Sequence, residues 1–81
     1  MRIDKFLKNS RLIKRRTVAK EACDQGRILI NDKTVKPGAE VKPGDIVSLT
    51  FGEKTIQVEV LQLLDHVRKE DAENMYRQLD A

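Results

Sequence analysis

Residues 16–31 read RTVAKEACDQGRILIN, and the fold turns on where their periodicity changes. Val18, Ala19, Ala22 and Cys23 recur at helical spacing and form one apolar stripe. Gly26 stands where a left-handed residue ends a helix. After it the period drops to two, with Ile28 and Ile30 on one face of a short strand. The start of the helix is poorly marked. No Ser, Asp or Asn precedes Arg16, and Thr17 has Lys20 three residues on, so no capping box forms. Instead Lys14, Arg15 and Arg16 crowd the end of the helix whose dipole is positive. Each is unfavourable there by roughly a few tenths of a kcal/mol. A conflict of this kind, kept in a sequence, is expected at a functional site.

Upstream, RIDKFLKN sets Ile3, Phe6 and Leu7 at helical spacing, with Asn9 as the stop. SRLI then connects the two helices, with Leu12 and Ile13 turned into the core. Downstream, NDKT is a turn, and Pro37-Gly38 and Pro43-Gly44 are strong turn signals. DIVSLTF places Val47, Leu49 and Phe51 on one face. Gly52-Glu53 turns the chain, and TIQVEVLQLL returns with Ile56, Val58 and Val60 inward. The expected fold is α+β: two N-terminal helices on a small, mostly antiparallel sheet. Ala72, Met75, Tyr76 and Leu79 follow i, i+3, i+4, i+7, which predicts a helical C-terminal extension over 66–81. The 81 residues suit a single domain, 1–81, with a thin core and no large internal cavity.

The sequence has no run of about 18 apolar residues, so no membrane span is expected. Its one cysteine forms no internal disulfide, and the N-terminus lacks a secretory pattern, so a cytoplasmic protein is expected. Charge is divided unevenly. Residues 1–27 carry nine cations and three anions, net +6, and residues 28–81 carry seven and ten, net −3. Such asymmetry points to a polyanionic partner for the first third. Catalysis has little to build on. His66 is the only histidine and nothing sets it beside Cys23 or a serine; one Cys and one His make no zinc site. We expect no enzyme activity, no metal and no cofactor.

Arginine is a planar donor suited to phosphates. Phe6, Phe51 and Tyr76 are the only aromatics, too few for a base-stacking platform. Folded RNA read through shape and phosphates is therefore the expected ligand. Neutralising three to five phosphates implies a logarithmic salt slope of roughly −2 to −5. Arg16 is the foremost candidate, at the helix start and off the apolar stripe. Its loss should weaken RNA binding at little expense in stability. Arg2 follows, close enough to Asp4 to be oriented by it. Lys5, Arg11, Lys14, Arg15 and Lys20 are secondary candidates, and Asp4 is assigned an orienting role. A competing expectation is a protein-interaction module whose C-terminal helix docks a partner through Tyr76 and the acids Glu70, Asp71 and Glu73.

The motifs also resemble the S-four domain, an RNA-binding module named after the fourth protein of the small ribosomal subunit. Its pattern runs Arg-Leu-Asp-Lys-x-Leu, then Ser-Arg-Ser-x-Ala, then Gly-x-Val-x-Val-Asn-Gly, then Gly-Asp. Arg2, Asp4, Lys5 and Leu7 match the first part. Arg16, Thr17, Ala19, Gly26, Ile28, Ile30 and Asn31 match the middle, and Gly44-Asp45 the last. Arg15 departs from the pattern where a small hydroxyl residue is usual, and Asp32 where a turn glycine is usual. Stand-alone members of this length, with a tail like Arg68, Ala72 and Tyr76, include small heat-shock proteins and factors of ribosome-associated quality control. The resemblance implies a factor on a stalled large ribosomal subunit, touching its rRNA and the peptidyl-tRNA. It also implies an RqcH-type quality control factor as partner while alanine tails are added. A monomer is expected.

Overall fold

The structure, a computed structural model, describes residues 1–79. Ile3, Phe6 and Leu7 are fully buried on one side of helix α1, Ile3–Asn9. Ser10 closes α1 with its backbone N–H on the Phe6 carbonyl, and the chain then turns through Arg11 in the left-handed region, φ 63°. That reversal sends Ile13 into the core and starts helix α2, Arg16–Asp24. Arg15 sits at its N-cap position and makes no side-chain capping bond, as the missing hydroxyl predicts. At the other end the Arg27 N–H bonds the Ala22 carbonyl and the Gly26 N–H bonds that of Cys23, with Gly26 at φ 75°. This paired 6→1 and 5→2 closure needs a left-handed residue, which glycine supplies without steric cost.

Five strands follow: β1 Ile28–Ile30, β2 Lys33–Thr34, β3 Ile46–Phe51, β4 Lys54–Val60 and β5 Tyr76–Leu79. They form one antiparallel sheet in the order β2-β1-β3-β4-β5. Ile28 faces Leu49, Ile30 faces Val47, and Val47 faces Val58, so one side of the sheet is apolar. The buried residues of α1 and α2 pack on that side and share one core with Val41 and Met75.

The β1–β2 turn keeps its tight geometry despite Asp32. Asn31 and Asp32 both take positive φ, 50° and 69°, between the paired residues Ile30 and Lys33. That is the two-residue hairpin loop usually made with Asn-Gly. Asn31 also accepts the Ile46 N–H at 2.9 Å and donates to the Asp45 carboxylate at 3.1 Å. Asp45 in turn accepts the Lys42 N–H at 2.9 Å. Asn31 and Asp45, two of the motif matches, therefore serve the fold by tying two turns together.

Three expectations change. Val18 leaves the apolar stripe: it is 42% exposed, and Ala19, Ala22 and Cys23 alone carry the helix face. Phe51 is exposed: it is the last residue of β3, paired with exposed Lys54 beside the β3–β4 turn. The C-terminal helix exists but is one turn, α3, Lys69–Ala72. A 3-10 turn over Glu73–Met75 follows, and Tyr76–Leu79 is strand β5, not helix. Residues 66–79 are thus not a helical extension, and residues 80–81 of that expectation lie outside the described residues. The physical reason is the sheet edge. β4 would otherwise present unpaired backbone groups, and β5 satisfies them along Gln57–Val60. Arg77 and Glu59 add a cross-strand ion pair.

Candidate nucleic-acid interface

Asp4 lies in the first turn of α1 between the two helices, and its side chain has no solvent exposure. A carboxylate so placed is costly unless it is paired and hydrogen-bonded. Its Oδ1 accepts the Lys5 N–H at 2.8 Å. Arg2 donates from Nη2 to Oδ2 at 3.2 Å. Arg16 approaches as a fork, Nε to Oδ2 at 3.4 Å and Nη2 to Oδ1 at 3.4 Å. One buried acid therefore holds two arginines from two helices. The arginine side chains are 48% and 42% exposed, so most of their donors face solvent.

Arg2 is fixed from below as well. The Ile3 N–H bonds the Ala39 carbonyl at 2.8 Å, the Val41 N–H bonds the Met1 carbonyl at 3.0 Å, and Arg2 bridges Glu40. The KPGAE turn thus forms a floor under the N-terminal residues. The Arg2 guanidinium lies over Gly38, where an added Cβ would sit 3.9 Å from Nη2. The pair carries one charge more than Asp4 neutralises, in a fixed geometry, with planar donors outward. This arrangement suits two neighbouring phosphate groups.

The other predicted residues divide. Lys14, Arg15, Lys20 and Arg11 are exposed and, among the described residues, make no ion pair. Arg15 and Lys20 flank Arg16 at the start of α2, while Arg11 and Lys14 lie in the connection between the two helices. Lys5 is different. It is half-buried and pairs with Asp65 at 2.8 Å, so it serves to anchor the 65–69 segment to α1. The hydrogen bond from Lys5 holds the Asp65 carboxyl below its usual range. Arg16 gains a role that sequence spacing does not show: it neutralises a buried acid, so its substitution must touch stability too. Gly38, Asp65 and Asn9 escape sequence reasoning. Asn9 donates to the carbonyls of Leu64, at 2.9 Å, and Asp65, at 3.3 Å, contacts that no local pattern announces.

Cys23 is buried beside these charges. Burial, then the nearby Asp4 and Asp24, push its thiol up from 9.0 to about 11. It stays a protonated, unreactive core residue at neutral pH. Among the described residues no group of acids, His and Cys could hold a metal ion, and no helix is long and apolar enough to cross a membrane.

Comparison with known proteins shows the family. The S4 domain family model matches residues 1–47, which include Arg2, Asp4 and Arg16. The RQC P-site tRNA stabilizing factor of Bacillus subtilis (strain 168) is 58% identical over 76 residues, spanning 94% of this chain and 88% of that one. The protein of the same name from Helicobacter pylori (strain J99 / ATCC 700824) is 40% identical over 73 residues, 88% of this chain and 87% of that one. Among solved structures, trimeric heat shock protein 15 of Vibrio cholerae superposes with a TM-score of 0.90 at 26% identity, covering 98% of this chain and 81% of that one. A hypothetical protein designated HP1423, solved in solution, gives 0.85 at 34% identity over 100% of this chain and 99% of that one. With its family model matched over more than half its length and a relative more than half identical, the chain belongs to the S4 domain family.

Proposed function

We propose that this chain is a non-catalytic RNA-binding factor of ribosome-associated quality control, acting in the cytoplasm. It binds a large ribosomal subunit that still carries peptidyl-tRNA, touches rRNA and tRNA, and supports alanine tailing beside an RqcH-type partner. The observation that carries this reading is the buried Asp4 holding Arg2 and Arg16 outward at the heart of the S4 match. The 58% identity to a protein named RQC P-site tRNA stabilizing factor supports the choice of ribosomal substrate. We read the chain as working in single copy, and light scattering of the purified protein tests that against the trimeric Vibrio cholerae neighbour.

The experiment is sedimentation of a lysate at low and high salt. The chain should travel with large subunits at low salt and leave them as salt rises, because phosphate contacts release counterions. Failure to travel with them even at low salt would sink the proposal. A second reading, a heat-shock-type ribosome-binding protein in subunit recycling, is favoured by the TM-score of 0.90. Co-purification with an RqcH-type factor on peptidyl-tRNA-bearing subunits separates the two.

A further inference from the structure

We propose that the cleft between the end of α1 and residues 65–69 is a second place for RNA phosphates, outside the Arg2–Arg16 pair. The proposal rests on the RNA-binding reading above. The cleft has a volume of about 960 Å³. Lys8, Arg11, Lys14, Arg68, Lys69 and His66 line it. Arg68 and Lys69 lie beyond the residues that the S4 model matches.

Five permanent cations converge here against a single acid. That acid, Asp65, is already engaged by Lys5 at 2.8 Å. Among the described residues none of the five cations has an ion-pair partner. Like charges brought together in one cleft repel, and the fold does nothing internally to relieve it. Two features show that the convergence is built. Asn9 clamps the far wall to α1 through the Leu64 and Asp65 carbonyls. Arg11 occupies the left-handed region, φ 63°, a position where glycine or asparagine would end α1 more easily.

The ligand chemistry follows from the lining. No Phe, Tyr or Trp lines the cleft, Val67 is its one apolar wall and His66 its one ring, so the lining offers no platform for successive bases. Cations without a platform suit a phosphodiester backbone. The cleft also continues the first site: Lys8 stands one helical turn, about 6 Å, along α1 from Asp4. A strand held by Arg2 and Arg16 can run on past Lys8 into it.

The test uses the full chain with a structured tRNA transcript, followed by fluorescence anisotropy from about 50 to 200 mM salt, and with anionic phospholipid vesicles as a second probe. Lys14→Glu/Arg68→Glu should weaken binding at least about ten-fold and lower the logarithmic salt slope by about 2. Lys42→Glu/Lys54→Glu makes the same change in net charge at exposed positions outside the cleft, and should stay within about three-fold. Arg2→Ala/Arg16→Ala reports on the first site. If that variant loses binding while the cleft variant matches the Lys42/Lys54 control, the cleft is overturned and the RNA-binding reading stands. If the unaltered chain shows no salt-dependent binding, both fail. Loss of binding to anionic phospholipid vesicles in the cleft variant, with RNA binding unchanged, also overturns the proposal. Lys14 and Arg68 are exposed, so thermal unfolding should hold. A neutral Lys14→Gln/Arg68→Gln variant, with the same direction of effect, covers any charge reversal that unfolds the chain.

Discussion

The Asp4 carboxylate, without solvent exposure, meets the Arg16 guanidinium through two contacts of 3.4 Å, joining the first turn of α1 to the first residue of α2. The pair makes one acid both a structural and an orienting element. Asp4→Asn keeps the shape but turns an amide toward two arginines. We expect a loss of about 1–3 kcal/mol in chemical denaturation, together with weaker RNA binding. Arg16→Ala leaves Asp4 with Arg2 as its one cation, beside the Lys5 N–H. At about 1 kcal/mol lost, the melting temperature of a chain this size drops by about 4–8 °C, so binding must be compared below that temperature.

The turn at Asn31-Asp32 offers a gain of stability. Asp32 holds φ 69°, where a Cβ is unfavourable and glycine is at ease. Asp32→Gly should stabilise the chain by up to about 1 kcal/mol, read as a higher denaturation midpoint with unchanged slope. An unchanged or lower midpoint would mean that the aspartate side chain relieves the strain locally.

Cys23 should behave as a buried thiol. Its folded-state pKa is raised to about 11 from 9.0. The unfolded chain therefore loses its proton first, and stability falls as pH rises from 9 toward 11. At pH near 8, modification by a thiol reagent should follow the opening of the fold and slow in any stabilised variant. Rapid labelling of the native protein would contradict the buried placement.

The C-terminal segment belongs to the core. Met75 and Ala72 are buried, and β5 closes the edge of β4. Met75→Ala should destabilise by about 2–5 kcal/mol. A chain ended after Leu64 should lose cooperative unfolding in calorimetry. Such a truncation is therefore no clean test of a separate docking role for this segment.

Much of the fold was legible because its signals are local. The switch from period 3.6 to period 2 at Gly26 marks α2 and β1, and the two Pro-Gly pairs mark the turns. The C-terminal strand was not legible. The spacing of Ala72, Met75, Tyr76 and Leu79 fits a helix, and only the open edge of β4, a tertiary feature, selects strand. The same holds for the site. Arg2, Asp4 and Arg16 could be read from charge, dipole conflict and motif, but not the two-armed contact on Asp4. Lys5 is diverted to Asp65 and Arg2 rests over Gly38, partners 60 and 36 residues away that no periodicity connects.

The central claim is that geometry, not net charge, makes Arg2 and Arg16 the RNA contact. The most direct measurement is the affinity of the purified chain for large ribosomal subunits, unaltered against Arg16→Lys. Lysine keeps the charge but has neither the fork that meets Asp4 nor the planar donors that meet phosphate. The account predicts a loss of at least about ten-fold, or 1.4 kcal/mol, at fixed salt. Equal affinity for the two proteins would contradict it.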